Sequence, residues 1–276
     1  MNRCICIIAG LALLAAATPS WSGPETVRLT PHRIVYDLSL VRGGGSRGVE
    51  EAQGRIAYDF GGDACEGYAL NYRQVTVLQG AETGSRTSDL RTATFEDGAG
   101  KTMHFRTESR MDGELKNLVE GDAEVGGGKL TVRLKQPKPE TFSVTAEPLL
   151  PTEHIKRLIM AARRGETTLT VPLYDGSEDG HKVYDTLAVI GRRIEPGQTE
   201  GLEDAAKQEG LARLPRWPVT LSYFEKGEGE RTPVYVISFD LYENGISRAL
   251  KLDYGEFALK GDMQSLELRP ETACQR

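Results

Sequence analysis

Hydrophobic and polar residues alternate along most of this chain with the period of β-strands. Ile34, Tyr36, Leu38 and Leu40 share one face of a first run, and Ile56, Tyr58 and Phe60 share one face of a second. Tyr68, Leu70 and Tyr72 continue the pattern in a third. Such alternation marks half-buried strands. Pro31 precedes the first run, where a missing N–H costs least. Val75 and Val77 change the parity of the third run, which predicts a bulge near Arg73 and Gln74. Further strands are expected at 91–96, 103–109, 114–120, 129–134 and 141–146. Turn signals separate them: Asp97-Gly98, Asp112-Gly113, Gly126-Gly127-Gly128 and the segment 136–139. Strands about every 8–12 residues without intervening helices predict an antiparallel all-β fold.

One segment departs from this period. Pro151-Thr152 is expected to open a helix with Thr152 as N-cap and Glu153 near its positive end. Ile155, Leu158, Ile159 and Ala162 form its apolar stripe, Glu153 and Arg157 pair one turn apart, and Gly165 ends it. This one main helix divides two sets of strands and must pack its stripe on a sheet. The second set covers 167–174, 182–193, 218–225, 233–243, 246–254 and 257–268. Between them, the Pro-, Gly- and acid-containing stretch 195–213 is expected to be the most mobile loop, with a short helix at 202–208.

Asn244-Gly245 predicts a two-residue type I′ hairpin. That turn would pair Leu241 with Arg248, Phe239 with Leu250, Ile237 with Leu252 and Tyr235 with Tyr254. Val236 would face Asp253, Ser238 Lys251, and Tyr242 Ser247. One dry and one wet face imply a curved sheet or barrel wall. Tyr235, Ile237, Phe239, Leu250 and Leu252 are the candidate lining of an apolar groove, unless the helix fills it.

The N-terminus changes the picture of where the chain works. Met1-Asn2-Arg3 precedes an apolar run from Cys4 to Ala17 and a small-residue exit. This predicts a cleaved secretory signal over residues 1–22, followed by a single domain over 23–276, exported to the periplasm. The apolar run is too short to favour a membrane span, and no transmembrane segment is expected after cleavage. Cleavage removes Arg3, leaving 33 basic against 40 acidic residues, a net charge of −7. That balance argues against nucleic acid and anionic lipid surfaces as partners. It also removes Cys4 and Cys6, so Cys65 and Cys274 remain. An isolated pair in an exported protein predicts a structural disulfide, which would clasp an early hairpin to the C-terminus.

Candidate chemistry is sparse. Gly43-Gly44-Gly45-Ser46-Arg47-Gly48 has the spacing of a dinucleotide fingerprint, but a new strand follows too soon for the required helix, so it is a hairpin loop. Residues 126–129 lack the spacing and hydroxyl of a phosphate loop. His32, His104, His154 and His181 show no metal-ligand spacing and are expected at strand edges or on the helix surface. No nucleophile elbow or metalloprotease motif is present. The chain is therefore expected to be no enzyme and to need no cofactor or metal.

Pro31-His32-Arg33-x-Val35-Tyr36-Asp37-Leu38, Tyr58-x-Phe60, Cys65-Glu66-Gly67-Tyr68 and Tyr72-Arg73-Gln74 together resemble the cell-envelope-integrity EipB family of alphaproteobacteria. Thr94-Phe95-Glu96-Asp97-Gly98, Thr152-Glu153-His154 and Leu241-Tyr242-Glu243-Asn244-Gly245-Ile246 add to it. The resemblance implies a periplasmic spiral of antiparallel strands, similar in part to lipid and lipoprotein carriers. It also implies a disulfide between Cys65 and Cys274, and a role in envelope-stress resistance without catalysis. The 43–48 loop and the 195–213 stretch depart from the family. The leading expectation is a non-enzymatic protein that maintains the envelope by binding another envelope component, foremost a protein. The alternative is a carrier holding a lipid or lipoprotein acyl chain on the concave apolar face.

Overall fold

The computed structural model describes residues 26–43, 48–82, 84–227 and 229–270. The expected signal segment, the middle of the 43–48 loop and Cys274 lie outside the described residues.

The first half of the chain is a meander in which each strand pairs with the one before it. Its strands are β1 (His32–Arg42), β2 (Val49–Asp63), β3 (Gly67–Gly80) and β4 (Gly84–Glu96). They continue with β5 (Thr102–Met111), β6 (Glu114–Gly126), β7 (Lys129–Gln136) and β8 (Glu140–Val144). Helix α1 (Pro151–Arg163) follows, then β9 (Thr168–Leu173) and β10 (Tyr184–Ile190). A short α2 (Glu209–Ala212) precedes β11 (Arg216–Phe224), β12 (Tyr235–Tyr242), β13 (Ser247–Asp253) and β14 (Ala258–Leu268). Strand β14 returns to pair with β1, so one antiparallel sheet runs from β8 to β1 and on from β14 to β9. Its end strands, β8 and β9, are not paired with each other, so the sheet curves without closing.

The gap is covered by connecting chain. Leu149, between β8 and α1, donates its N–H to Pro172 at 2.8 Å and accepts that of Tyr174 at 3.0 Å. The loop 174–183 lies on the inner face of β5–β7. A Cβ on Gly176 would stand 2.5 Å from the Phe105 ring, and one on Gly180 would stand 2.8 Å from Leu134. Both residues have positive φ, 67° and 80°, so close approach and backbone each require glycine there. Tyr174 meets Phe105 edge to face at 5.9 Å and anchors a smaller core with Met103, Val119, Leu130 and Val132.

The main core gathers the inner faces of the remaining strands around α1. Leu158 and Ile159 are fully buried in it, each worth roughly 1.5–3 kcal/mol in apolar burial. The helix ends at Gly165, φ 72°, in a Schellman arrangement: Gly165 donates to Ala162 and Glu166 to Ala161, both at 3.0 Å. The expected Glu153–Arg157 pair forms at 3.6 Å.

Four local expectations are corrected. Thr152 is not the N-cap: Leu150 holds that position, Pro151 opens the helix, and the Thr152 hydroxyl donates to Glu96 instead. No register shift occurs at Arg73 or Gln74. Gln74 and Thr76 simply continue the inward face as polar residues, while Val77 is exposed outside. The hairpin after β12 spans Glu243, Asn244 and Gly245, with Tyr242 accepting from Gly245 and donating to Ile246. It docks on the N-terminal segment, where Thr30 donates to Asn244 at 3.0 Å. Ala249, φ 50°, takes up the extra residue. Val236, Ile237 and Ser238 keep the expected partners, but Asp240 faces Arg248 and Leu241 faces Ser247.

The stretch 195–213 is anchored rather than loose, because its few apolar residues reach the core. Leu202, Ala206 and Leu211 are buried around a 3₁₀ turn at Asp204–Lys207 and α2. Glu203 in the same stretch bonds Arg248 at 2.6 Å, and Arg248 bonds Asp240 at 2.5 Å.

Candidate functional site

Between α1 and the sheet remains a cavity of about 660 Å³, within the range of small-molecule sites, roughly 300–1,000 Å³. It exists because the helix is short. Leu158 and Ile159 fill one end of the curved sheet, whereas only Pro151, Thr152, His154 and Ile155 reach into the rest. Inward positions of β1–β4 and β10–β13 form the wall. Val234 and Glu178, both exposed lining residues, mark the end open to solvent.

Tyr235, Ile237, Phe239, Leu250 and Leu252, the groove residues expected from the hairpin, all line this one cavity. Phe239, Leu250 and Leu252 are buried, and Tyr235 and Ile237 are half-buried. The helix therefore fills part of the apolar face and leaves part free. Tyr223, Tyr235 and Tyr254 continue as a row of rings, 5.8 Å and 5.1 Å between centroids. Across the cavity, the Tyr72 hydroxyl donates to Gln74 at 2.5 Å, and the Gln74 amide reaches the Tyr254 hydroxyl at 3.2 Å. Burial pushes the hydroxyls of Tyr58, Tyr72 and Tyr223 far above their ordinary range, so all remain neutral.

Several polar residues of the lining escape a search for large apolar side chains. Glu96 is 2% exposed and accepts the Thr152 N–H at 3.0 Å and its hydroxyl at 2.8 Å. Burial raises its carboxyl to about 7 against these hydrogen bonds and the nearby Lys156 charge. His154, on the inward side of α1, is held neutral by burial, with its pKa lowered to about 4. His32 is also buried, stacked on Tyr58 at 5.5 Å, and burial lowers its pKa. The expectation that every histidine sits at an edge or surface is thus wrong for His32 and His154. Their places follow from the inward parity of β1 and the inward side of the helix. His104 and His181 are exposed. The signal that could have found the polar lining is the run Thr92, Thr94, Glu96, which keeps strict inward alternation without an apolar residue.

The other candidate residue, Cys65, is exposed in the β2–β3 turn. Asp63 builds that turn by accepting the N–H groups of Cys65 at 2.7 Å and Glu66 at 2.9 Å. His32 of β1 lies opposite both Phe60 of β2 and Leu268 of β14. Arg269 then holds Asp59 through two hydrogen bonds, 2.6 Å and 3.0 Å. The end of β14 thus runs beside the end of β2 that carries Cys65. Among the described residues, no group of three or more His, Cys, Asp or Glu is placed to hold a metal, and no helix is long and apolar enough to cross a membrane.

A single curved antiparallel sheet around a helix and an aromatic cavity defines a β-barrel-like protein with an internal ligand-sized space. This chain belongs to the EipB-like family, whose model matches residues 24–270. It is 38% identical to the cell envelope integrity protein EipB of Brucella abortus (strain 2308) over 261 residues, covering 92% of this chain and 91% of that relative. It is also similar to the crystal structure of a β-barrel-like protein of domain of unknown function DUF1849 from Brucella abortus. That likeness has a TM-score of 0.82 at 37% identity, covering 89% of this chain and 100% of the other.

Proposed function

We propose that this protein supports cell envelope integrity as a non-enzymatic periplasmic binding protein, and that the cavity inside its sheet holds an apolar ligand. The envelope role follows the name of the Brucella relative. The observation that carries the binding role is the cavity of about 660 Å³ lined by the hairpin residues Tyr235, Ile237, Phe239, Leu250 and Leu252. Space left unfilled in an apolar interior forfeits dispersion contacts, and an apolar ligand would restore them. Binding is favoured over catalysis because the buried ionisable groups are engaged structurally. Glu96 holds the start of α1, and His154 Nε2 faces the Thr186 hydroxyl at 3.4 Å.

This places a carrier or lipid-holding role ahead of a protein partner on the outer surface. The exposed large apolar side chains Val41, Val77, Phe95, Leu115 and Val189 are distributed over different strands. The Cys65–Cys274 disulfide belongs to the same proposal, as a clasp that keeps the ends of β2 and β14 together around the cavity.

The test is a deletion strain challenged with detergents and cell-wall antibiotics. The expected result is sensitivity that the native chain rescues and Ile237→Trp, which fills the cavity, does not. Unchanged tolerance on deletion would remove the envelope role. Full rescue by a stably expressed Ile237→Trp chain would remove the cavity from it.

A further inference from the structure

The charge of the cavity narrows its occupant, if the cavity is a ligand site as proposed above. Among the described residues its lining contains no lysine and no arginine, but it contains the carboxyl groups of Glu96, Asp175 and Glu178. Glu178 is already matched by Lys182 and by the Tyr184 hydroxyl at 2.7 Å. Asp175 forms no ion pair among the described residues; it accepts the Ser177 N–H at 2.9 Å. Glu96 has Lys156 as a nearby charge, though not in ion-pair contact. The two lining histidines, His32 and His154, are depressed by burial and supply no positive charge. An anionic head group drawn into this space would lose its water and find no basic side chain in the lining to pair with, Lys156 lying over the Tyr68 ring at 4.8 Å beside Glu96. That is the unfavourable case for a buried charge.

A cation would find the opposite. Tyr184, Tyr223, Tyr235, Tyr254 and Phe257 form a chain of rings at centroid separations of 5.8, 5.8, 5.1 and 5.0 Å. Tyrosine faces attract ammonium groups, all the more when water is excluded. Asp175 lines the same cavity as Tyr184, Tyr223, Tyr235 and Tyr254, and its charge disfavours ionisation of Tyr184 and Tyr223. Burial raises the Asp175 pKa against its hydrogen bonds from Ser177, and a cation beside it would favour the charged form. The tail of an amphiphile has its own path along Ile237, Leu250 and Leu252, which lead from the tyrosine row toward the middle of the sheet.

We propose that the cavity takes an amphiphile with an ammonium head, the head lodging beside Asp175 and the Tyr223–Tyr235–Tyr254 row and the apolar chain lying along β12 and β13. Anionic amphiphiles with the same tail are discriminated against.

The test is calorimetric titration of the full mature chain, stripped of bound lipid, with three dodecyl amphiphiles below their micelle-forming concentrations. One carries trimethylammonium, one maltoside and one sulfate. The expected result is at least tenfold tighter binding of the ammonium compound than of the sulfate. Asp175→Asn should bring that ratio down severalfold. Asp204→Asn, which removes the same charge from a side chain 97% exposed, should not. Tyr235→Leu should weaken ammonium binding while sparing the maltoside, which keeps the test open if Asp175→Asn does not fold. Equal or tighter sulfate binding, or an equal effect of Asp204→Asn and Asp175→Asn, would overturn the ammonium preference. Maltoside binding without that preference would leave the cavity proposal standing, whereas failure of all three compounds to bind would overturn both.

Discussion

The Glu96 carboxylate on β4 caps helix α1 by accepting the Thr152 N–H at 3.0 Å and the Thr152 hydroxyl at 2.8 Å. A side chain 56 positions earlier in the sequence thus does what a local N-cap does in most helices. It fixes the end of α1 that borders the cavity. Glu96→Ala is expected to cost about 1–3 kcal/mol, the cost of losing a cap and leaving buried donors unpaired. Denaturant unfolding measures this, and Glu96→Gln, which keeps an acceptor, should lose less.

Glu96 and His154 predict opposite pH dependences at one site. The Glu96 carboxyl rises from an ordinary 4.5 to about 7, so the folded state binds its proton more tightly than the unfolded chain. Its contribution is present below pH 4.5 and is lost as pH rises through 7. The His154 imidazole falls from 6.5 to about 4, so its contribution is present above pH 6.5 and is lost as pH falls through 4. Each spans about 3 kcal/mol at most, and the two offset one another between pH 4.5 and 6.5. Relative to the native chain, Glu96→Gln should lose stability as pH falls from 7 toward 4.5. His154→Gln should gain it over the same range. Unfolding midpoints across that range decide the matter; parallel profiles for all three proteins would contradict it.

Cavity and core should separate by mutation. Ile237→Trp places bulk in the cavity and is expected to reduce binding of the neutral apolar dye N-phenyl-1-naphthylamine at least tenfold, with a modest effect on stability. Leu241→Ala removes a fully buried side chain outside the cavity lining. It should cost about 2–5 kcal/mol yet leave dye affinity in the folded protein unchanged. Fluorescence titration and thermal unfolding of both variants provide the check.

Arg248 bridges Glu203 and Asp240 at 2.6 and 2.5 Å, with all three side chains largely buried. Among the described residues, Arg248→Ala leaves Glu203 only the Met263 N–H at 3.4 Å and Asp240 only Arg216 at 3.4 Å. The expected cost is about 3–5 kcal/mol. Faster amide exchange should be confined at first to the 202–211 stretch that Glu203 ties down.

The proposed clasp makes both cysteines of the mature chain resistant to thiol labelling until reductant is added. Cys65→Ser should lower the melting temperature and protease resistance more than it changes the folded shape, because a long closed loop acts mainly on the unfolded chain, by at most about 5 kcal/mol. Full labelling of the native protein without reductant would remove the clasp.

The fold class is legible in the sequence because the inward face of nearly every strand alternates strictly. Ile56, Tyr58, Phe60 and Tyr68, Leu70, Tyr72 need no tertiary information to be assigned to a face. Long-range partnerships are not legible. Thr152 looks like an N-cap until Glu96 is beside it, and Asn244-Gly245 looks like a two-residue turn until the N-terminal segment docks there. Gln74 and Thr76 mimic a parity change because period-two reasoning takes polar for outward, whereas a lined cavity reverses that rule. The buried tethers of 195–213 are few among charged neighbours, so composition alone makes the stretch look loose. Part of the apolar cavity wall follows from one hairpin, while the polar Gln74, Thr92, Thr94, Glu96 and Thr107 come from inward positions of the successive strands β3–β5 that no apolar residue marks.

The sheet is proposed to enclose a ligand. Native mass spectrometry of the protein purified without detergent from its own cell envelope tests this most directly. A bound amphiphile mass is expected in the native chain and is lost in Ile237→Trp. The mass of the bare chain alone, or the same adduct in both proteins, would contradict it.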